Sequence, residues 1–234
     1  MASGTTALPL FPLGQTVLFP GVVLPLHVFE ERYRELVRTL VAQEDPGPRR
    51  FGVVAIRQGW EVGAEAVRAL HEVGCAAELR RVSRYPDGRF DIVTVGSDRF
   101  RLLGVDRTTR PYLVGEVEWL PGDPPPGAEA AVLARAVGTL FAEYATAATG
   151  LRPAGSGPGA RPPELPDDPA ELSHLVASSA VLTLEDRQAL LEAPTTPARL
   201  RAELRLLKRE TTMVRRLRAL PVPIAELQVT QSLS

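Results

Sequence analysis

Catalysis and metal binding need nucleophiles, titratable groups or ligands at workable spacing, and this chain offers few. Its histidines are His27, His71 and His174, its one cysteine is Cys75 and its one lysine is Lys208. Zinc sites gather three or four Cys, His or carboxylate ligands. No paired spacing accompanies these histidines, and one thiol forms neither an internal disulfide nor a multi-cysteine site. Cys75 falls within an alternating apolar run and reads as a small core residue. A phosphate loop needs a Gly-rich turn followed by Gly-Lys-Ser/Thr. Lys208 instead sits in LLKRE, inside a leucine-striped segment without glycine. No Gly-x-Ser-x-Gly nucleophile elbow occurs. These residues predict no enzymatic activity, no cofactor and no metal.

What remains is recognition. Phe11, Phe19, Pro20, Phe29 and Tyr33 put much aromatic and proline content into one short region. Core packing would use such residues, and so would a groove that accepts apolar peptide. His27, beside Pro25, likewise has two readings. It is a structural histidine bonded to a nearby backbone group, or a polar contact in that groove.

Charge offers a second kind of recognition. From Arg199 to Arg218 eight basic residues stand against Glu203 and Glu210, a net +6. A basic stripe such as Arg215, Arg216 and Arg218 can track phosphates. Residues 164–192 carry seven acids against Arg187, a net −6, so the two segments are expected to neutralise each other. The whole chain has 234 residues and a net charge of −1, which supplies no global pull toward nucleic acid or anionic lipid. The start, MASGTTALPL, lacks a basic segment ahead of a long apolar run. No stretch reaches the ~18 apolar residues of a membrane span. A soluble, cytoplasmic protein is expected.

The elements that must position these residues begin with Leu8 to Val41. Val22, Leu24, Leu26 and Val28 share one face with period two, as in a half-buried strand. From Phe29 the apolar positions (Tyr33, Leu36, Val37, Leu40, Val41) shift to helical spacing. Further strands are expected at 51–57, 73–81, 89–95, 99–105 and 112–120, with Pro86-Asp87-Gly88 as a hairpin turn. After the proline-rich 121–127 come helices at 128–148, 170–180 and 185–191, and a last one capped by Thr195 or Thr196. Val132, Leu133, Val137, Leu140, Phe141 and Tyr144 form the expected stripe of the first of these. Residues 150–169, rich in Gly and Pro, read as a flexible loop.

The run LPLFPLGQTVLFPGVVLPLHVFEERY resembles the opening of the Lon protease amino-terminal, substrate-binding domain. GCAAELRRVSRYPDGRFDIVTVGSDRFRLLGV is similar to its next strands, and LVASSAVLTLEDRQALLEAPTTPARLRAELRLLKRE to its closing helices. The three blocks occur in the family's order across roughly Leu8 to Arg218. The resemblance implies an α+β protein. A PUA-like β-barrel of about six strands with an inserted helix would fill residues 1–122. A helical bundle would follow over 123–220, then a tail over 221–234. It also implies a stand-alone member without ATPase or peptidase domains, because neither a Walker motif nor a Ser-Lys dyad is present. Its role would be to bind unfolded or hydrophobic protein segments, as an adaptor to a separate protease or chaperone. The groove residues would be Phe19, Pro20, His27, Phe29 and Tyr33. Nucleic-acid binding through the barrel and the Arg-rich last helix is the alternative.

Overall fold

A computed structural model describes residues 5–44, 47–59, 67–149 and 164–217. The chain divides into two compact units, Met1–Pro124 and Pro125–Ser234. The first is a seven-stranded sheet with one helix; the second is helical. This is an α+β chain.

Strand β1 (Thr6–Leu13) and strand β2 (Val23–Val28) precede helix α1 (Glu31–Val41). Strands β3 (Arg50–Gly59), β4 (Val67–Leu70), β5 (Val73–Arg84), β6 (Phe90–Asp106) and β7 (Val114–Trp119) follow. The hydrogen-bonded order is β1-β7-β6-β5-β3-β4, with β2 on β6. Strand β1 pairs antiparallel with β7 over Thr6–Pro9, then parallel with β3 over Leu10–Leu13. The ladder β1-β7-β6-β5-β3 thus returns to β1. Each half of β1 is paired on one side only, so Pro9 and Pro12, which lack an N–H donor, fit within it.

Alternation on β1 serves two apolar layers. Leu8 and Leu10 enter an inner core with Val54, Phe100 and Val117. Phe11, pointing the other way, stacks on Tyr33 of α1 at 4.1 Å and meets Phe51 at 5.9 Å. Helix α1 buries Tyr33, Leu36, Val37 and Leu40, as its period requires, while Val41 is exposed.

Several boundaries differ from the sequence pattern for identifiable reasons. The strands expected at 89–95 and 99–105 are one 17-residue strand, β6. The Gly96-Ser97-Asp98 step between them reads as a turn, yet Gly96 is there for close approach. A Cβ on it would lie 2.1 Å from the Phe19 carbonyl oxygen. The N-terminal half of β6 pairs with β2 and its C-terminal half with β7, along the same edge. The hairpin turn does form as expected, with Gly88 at φ +85°. The short β4 is not announced by the sequence pattern. Strand β5 is buried on both faces from Val73 to Ala77, and a register shift between Leu79 and Arg81 interrupts its further course, so the expected two-residue alternation is not seen along it.

In the second unit, α5 (Thr196–Leu217) packs against α2 (Ala128–Thr149), α3 (Pro169–Ser179) and α4 (Leu184–Glu192). The buried stripe of α2 is Ala130, Ala134, Val137, Phe141 and Tyr144. Val132, expected on that stripe, is exposed; the small Ala130 and Ala134 take the contact face instead. Asp168 caps α3, its carboxylate accepting from the N–H groups of Ala170 and Glu171 at 2.8 and 3.0 Å. Thr195 caps α5 by accepting from Ala198 N–H at 3.3 Å. The expected flexible loop lies outside the described residues up to position 163, and the expected tail lies entirely outside them. Among the described residues no helix is long and apolar enough to cross a membrane.

Candidate functional site

Strand β2 is paired along one edge, to β6. Pro25 is tolerated at its centre because the other edge needs no donor. Leu24, Leu26 and Val28 turn inward, while Val23, Pro25 and His27 face solvent, and Phe29 continues that row past the strand's end. Phe29 is 54% exposed. Cross-strand register carries the same outer face onto β6 and β5. Val23 lies beside Val95, Pro25 beside Val93 and then Arg81, His27 beside Asp91 and then Ser83.

A polar network fixes one end of this face. The Asp91 carboxylate accepts from Tyr85 O–H at 2.5 Å and pairs with His27 Nδ1 at 2.6 Å. The Tyr85 and His27 bonds together hold the Asp91 carboxyl below its ordinary range. The same bond to Asp91 pushes the Tyr85 phenol up. Arg89 lies 5.7 Å over the Tyr85 ring and 3.4 Å from His27 Nε2, and is paired to Asp87 at 2.7 Å. Arg34 of α1 donates to the Asp87 carbonyl at 3.1 Å, tying the hairpin tip to the helix. Together these contacts lock His27 between Phe29 (ring centroids 6.3 Å) and Tyr85 (6.1 Å).

Two depressions adjoin the row. A recess of about 70 Å³ is lined by Phe11, Leu13, Leu26, Phe29 and Tyr33 with His27 at its rim. A shallower groove of about 480 Å³ runs over Pro25, His27, Arg81, Ser83, Asp91 and Val93.

Of the residues expected to form a groove, His27, Phe29 and Tyr33 meet at the small recess. Phe19 does not. Its side chain is fully buried, because the turn after β1 crosses Gly96 and drives the ring inward. Pro20 is half-buried in that turn and lines neither depression. The partner of His27 is a carboxylate side chain and not the backbone group one sequence reading expected. Tyr85, Asp91, Arg89 and Arg81 escaped sequence reasoning. The Pro-Asp-Gly turn puts Tyr85 and Arg89 opposite each other, but no local pattern says that β2 lies beside β6.

The remaining chemistry-bearing residues lie elsewhere. Cys75 is fully buried, and burial pushes its thiol far above the ordinary range. Lys208 is exposed on α5. Among the described residues no group of three or more His, Cys, Asp or Glu side chains is arranged to hold a metal. On α5, Arg215 pairs with Glu143 at 3.3 Å, Arg201 with Glu129, and Arg209 with Asp186 at 2.6 Å. The acids expected to neutralise this helix were those of 164–192; of these three partners only Asp186 comes from there, and the other two stand on α2. Arg216 is exposed, and Arg218 lies outside the described residues.

Residues 7–209 match the family described as the ATP-dependent protease La (LON) substrate-binding domain, and the chain belongs to that family. It is 31% identical over 205 residues to Lon protease 2 of Syntrophobacter fumaroxidans, covering 82% of this chain and 23% of that protein. It is 30% identical over 204 residues to Lon protease 1 of Thermus thermophilus, covering 87% of this chain and 24% of that one. The chain therefore spans about a quarter of the length of these relatives. A Lon N-terminal domain protein from Xanthomonas campestris has a similar solved structure. Its TM-score is 0.60 at 26% identity, covering 87% of this chain and 98% of that one. The N-terminal domain of a Mycobacterium avium complex Lon protease shares the fold, with a TM-score of 0.58 at 18% identity and the same coverage.

Proposed function

We propose that this chain is a non-catalytic module that binds unfolded or hydrophobic protein segments and presents them, as an adaptor, to a separate protease or chaperone. The observation that carries the reading is the family match over residues 7–209, which falls on a substrate-binding domain. On this reading the sheet unit is a small PUA-like barrel and the helices of the second unit form a supporting bundle. The binding face is the outer row of β2 with its recess; His27 and Phe29 act as its contacts, and the buried Tyr33 forms part of the recess wall. Support comes from the exposure of Phe29, since a large aromatic in solvent gains most from a partner that covers it. The pairing of Arg201, Arg209 and Arg215 with carboxylates weighs against a phosphate-tracking α5.

The test is a titration of the purified chain against a fluorescent, permanently unfolded polypeptide and a single-stranded RNA, at low and physiological salt. Saturable polypeptide binding that survives physiological salt is the expected result. Binding of RNA alone, collapsing with salt, would replace this reading with the nucleic-acid one.

A further inference from the structure

The recess at the end of β2 is small, and its walls are held. Its volume is about 70 Å³. Phe11 and Tyr33, stacked at 4.1 Å, form one wall, and Phe51 backs Phe11 at 5.9 Å. Leu13 and Val28 complete the interior. Phe11, Leu13, Val28 and Tyr33 are each at most 6% exposed, so none swings aside without displacing packed neighbours. At the mouth, His27 is bonded to Asp91 at 2.6 Å and Glu30 is paired with Arg32 at 3.1 Å. These polar groups already have partners and need none from a ligand. What the recess offers an occupant is a fixed apolar volume.

That volume discriminates. A dry apolar cavity of about 150 Å³ holds a benzene ring, and the recess has roughly half that room. A phenyl or indole ring does not fit, whereas the end of a branched aliphatic side chain does. Alanine would leave most of the space unfilled and forgo the wall contacts. A polar side chain would shed its water against carbon walls, which is costly. We infer that the recess takes one branched aliphatic side chain, of valine, leucine or isoleucine, from a client segment and excludes aromatic ones. This rests on the recognition reading above and names the side chain that its client presents at this point. Phe29, exposed at the mouth, gives the inserted group a further apolar contact. Leu26, half-buried on the edge strand, sets the width of the recess and is its specificity-determining residue.

The test uses labelled glycine–serine decapeptides with one central guest residue: alanine, valine, leucine, phenylalanine or tryptophan. Fluorescence anisotropy follows each with the wild-type chain, Leu26→Ala and Leu26→Phe, and circular dichroism confirms that the variants fold. The wild type is expected to bind the leucine peptide about tenfold more tightly than the alanine peptide, as added methylenes in an apolar pocket allow. Phenylalanine and tryptophan peptides should bind no more tightly than alanine. Leu26→Ala, which widens the recess, should raise the phenylalanine peptide above alanine. Leu26→Phe, which fills it, should erase the leucine preference. A wild-type chain that binds phenylalanine as tightly as leucine would overturn the inference, and this ranking decides the matter even where a variant does not fold. A leucine preference that persists in Leu26→Phe would also overturn it. The unfolded polypeptide is titrated in parallel. If it binds while no decapeptide does, the aliphatic anchor fails and recognition stands. If it does not bind at all, the recognition reading itself fails.

Discussion

In the sheet unit, several large side chains that reach solvent are apolar or aromatic: Val23 (59% exposed), Phe29 and Tyr85 line one outer face. In the helical unit the side chains withdrawn from solvent include several acidic or basic ones, among them Arg199, Glu203 and Glu210, whereas in the sheet unit Arg99 is the one such group among the described residues. Arg199 is wholly buried, with its Nε donating to Ser173 Oγ at 2.7 Å. Burying a charge is costly unless it is bonded, and exposing a large aromatic forgoes its burial. The two costs point to different roles. Ionisable groups inside the helical unit are tied to its packing, as Arg199 is to Ser173 of α3, whereas aromatics left outside a well-filled sheet are available to a partner.

The contrast breaks most visibly in the sheet core. Phe100→Ala should destabilise the sheet unit by ~3–5 kcal/mol, measured by urea unfolding, because its ring fills the inner core against Gly52 and Gly74. Phe29→Ala sharpens the contrast from the other side. Its stability should stay within ~0.5 kcal/mol of wild type. Its affinity for unfolded polypeptide should fall about tenfold, as expected for an exposed aromatic anchor.

Glu203 tests the helical unit. Burial holds its carboxyl well above the ordinary range, against the opposing pull of Arg199. A raised folded value means that its contribution is fully present below the unfolded pKa of ~4.3 and is lost as pH rises through the folded value. Glu203→Gln mimics the protonated group. It should match wild type near pH 4 and become the more stable protein by pH 8. Its advantage is ~1.4 kcal/mol for each pKa unit by which burial displaces the group. Equal stability at both pH values would show that Glu203 is ionised and fully compensated. The smallest effect is expected from Arg215→Ala. It removes an exposed ion pair with Glu143 and should cost no more than ~1 kcal/mol in thermal or urea unfolding.

Much of the fold was readable from local pattern. The switch from period two to helical spacing at Phe29 located β2 and α1, and Pro86-Asp87-Gly88 located the hairpin, since both signals are set within a few residues. What the pattern missed depended on contacts distant in sequence. Gly96 looks like a turn until Phe19, 77 positions earlier, is laid across it. Phe19 itself looks like a groove residue for the same reason. Tyr33, Phe29 and His27 were singled out by type, but the bond from His27 to Asp91 spans 64 positions and has no local signature. Arg81 is one arginine among many in sequence. Only the pairing of β5, β6 and β2 sets it beside Val93 and Pro25.

The most direct test of the recognition face is amide hydrogen exchange of the full chain, with and without a saturating unfolded polypeptide. Binding at this face should add protection over residues 23–29 and 81–93, with none over 199–216. Protection confined to 199–216 would contradict it, as would a bound polypeptide that slows exchange nowhere on β2, β5 or β6.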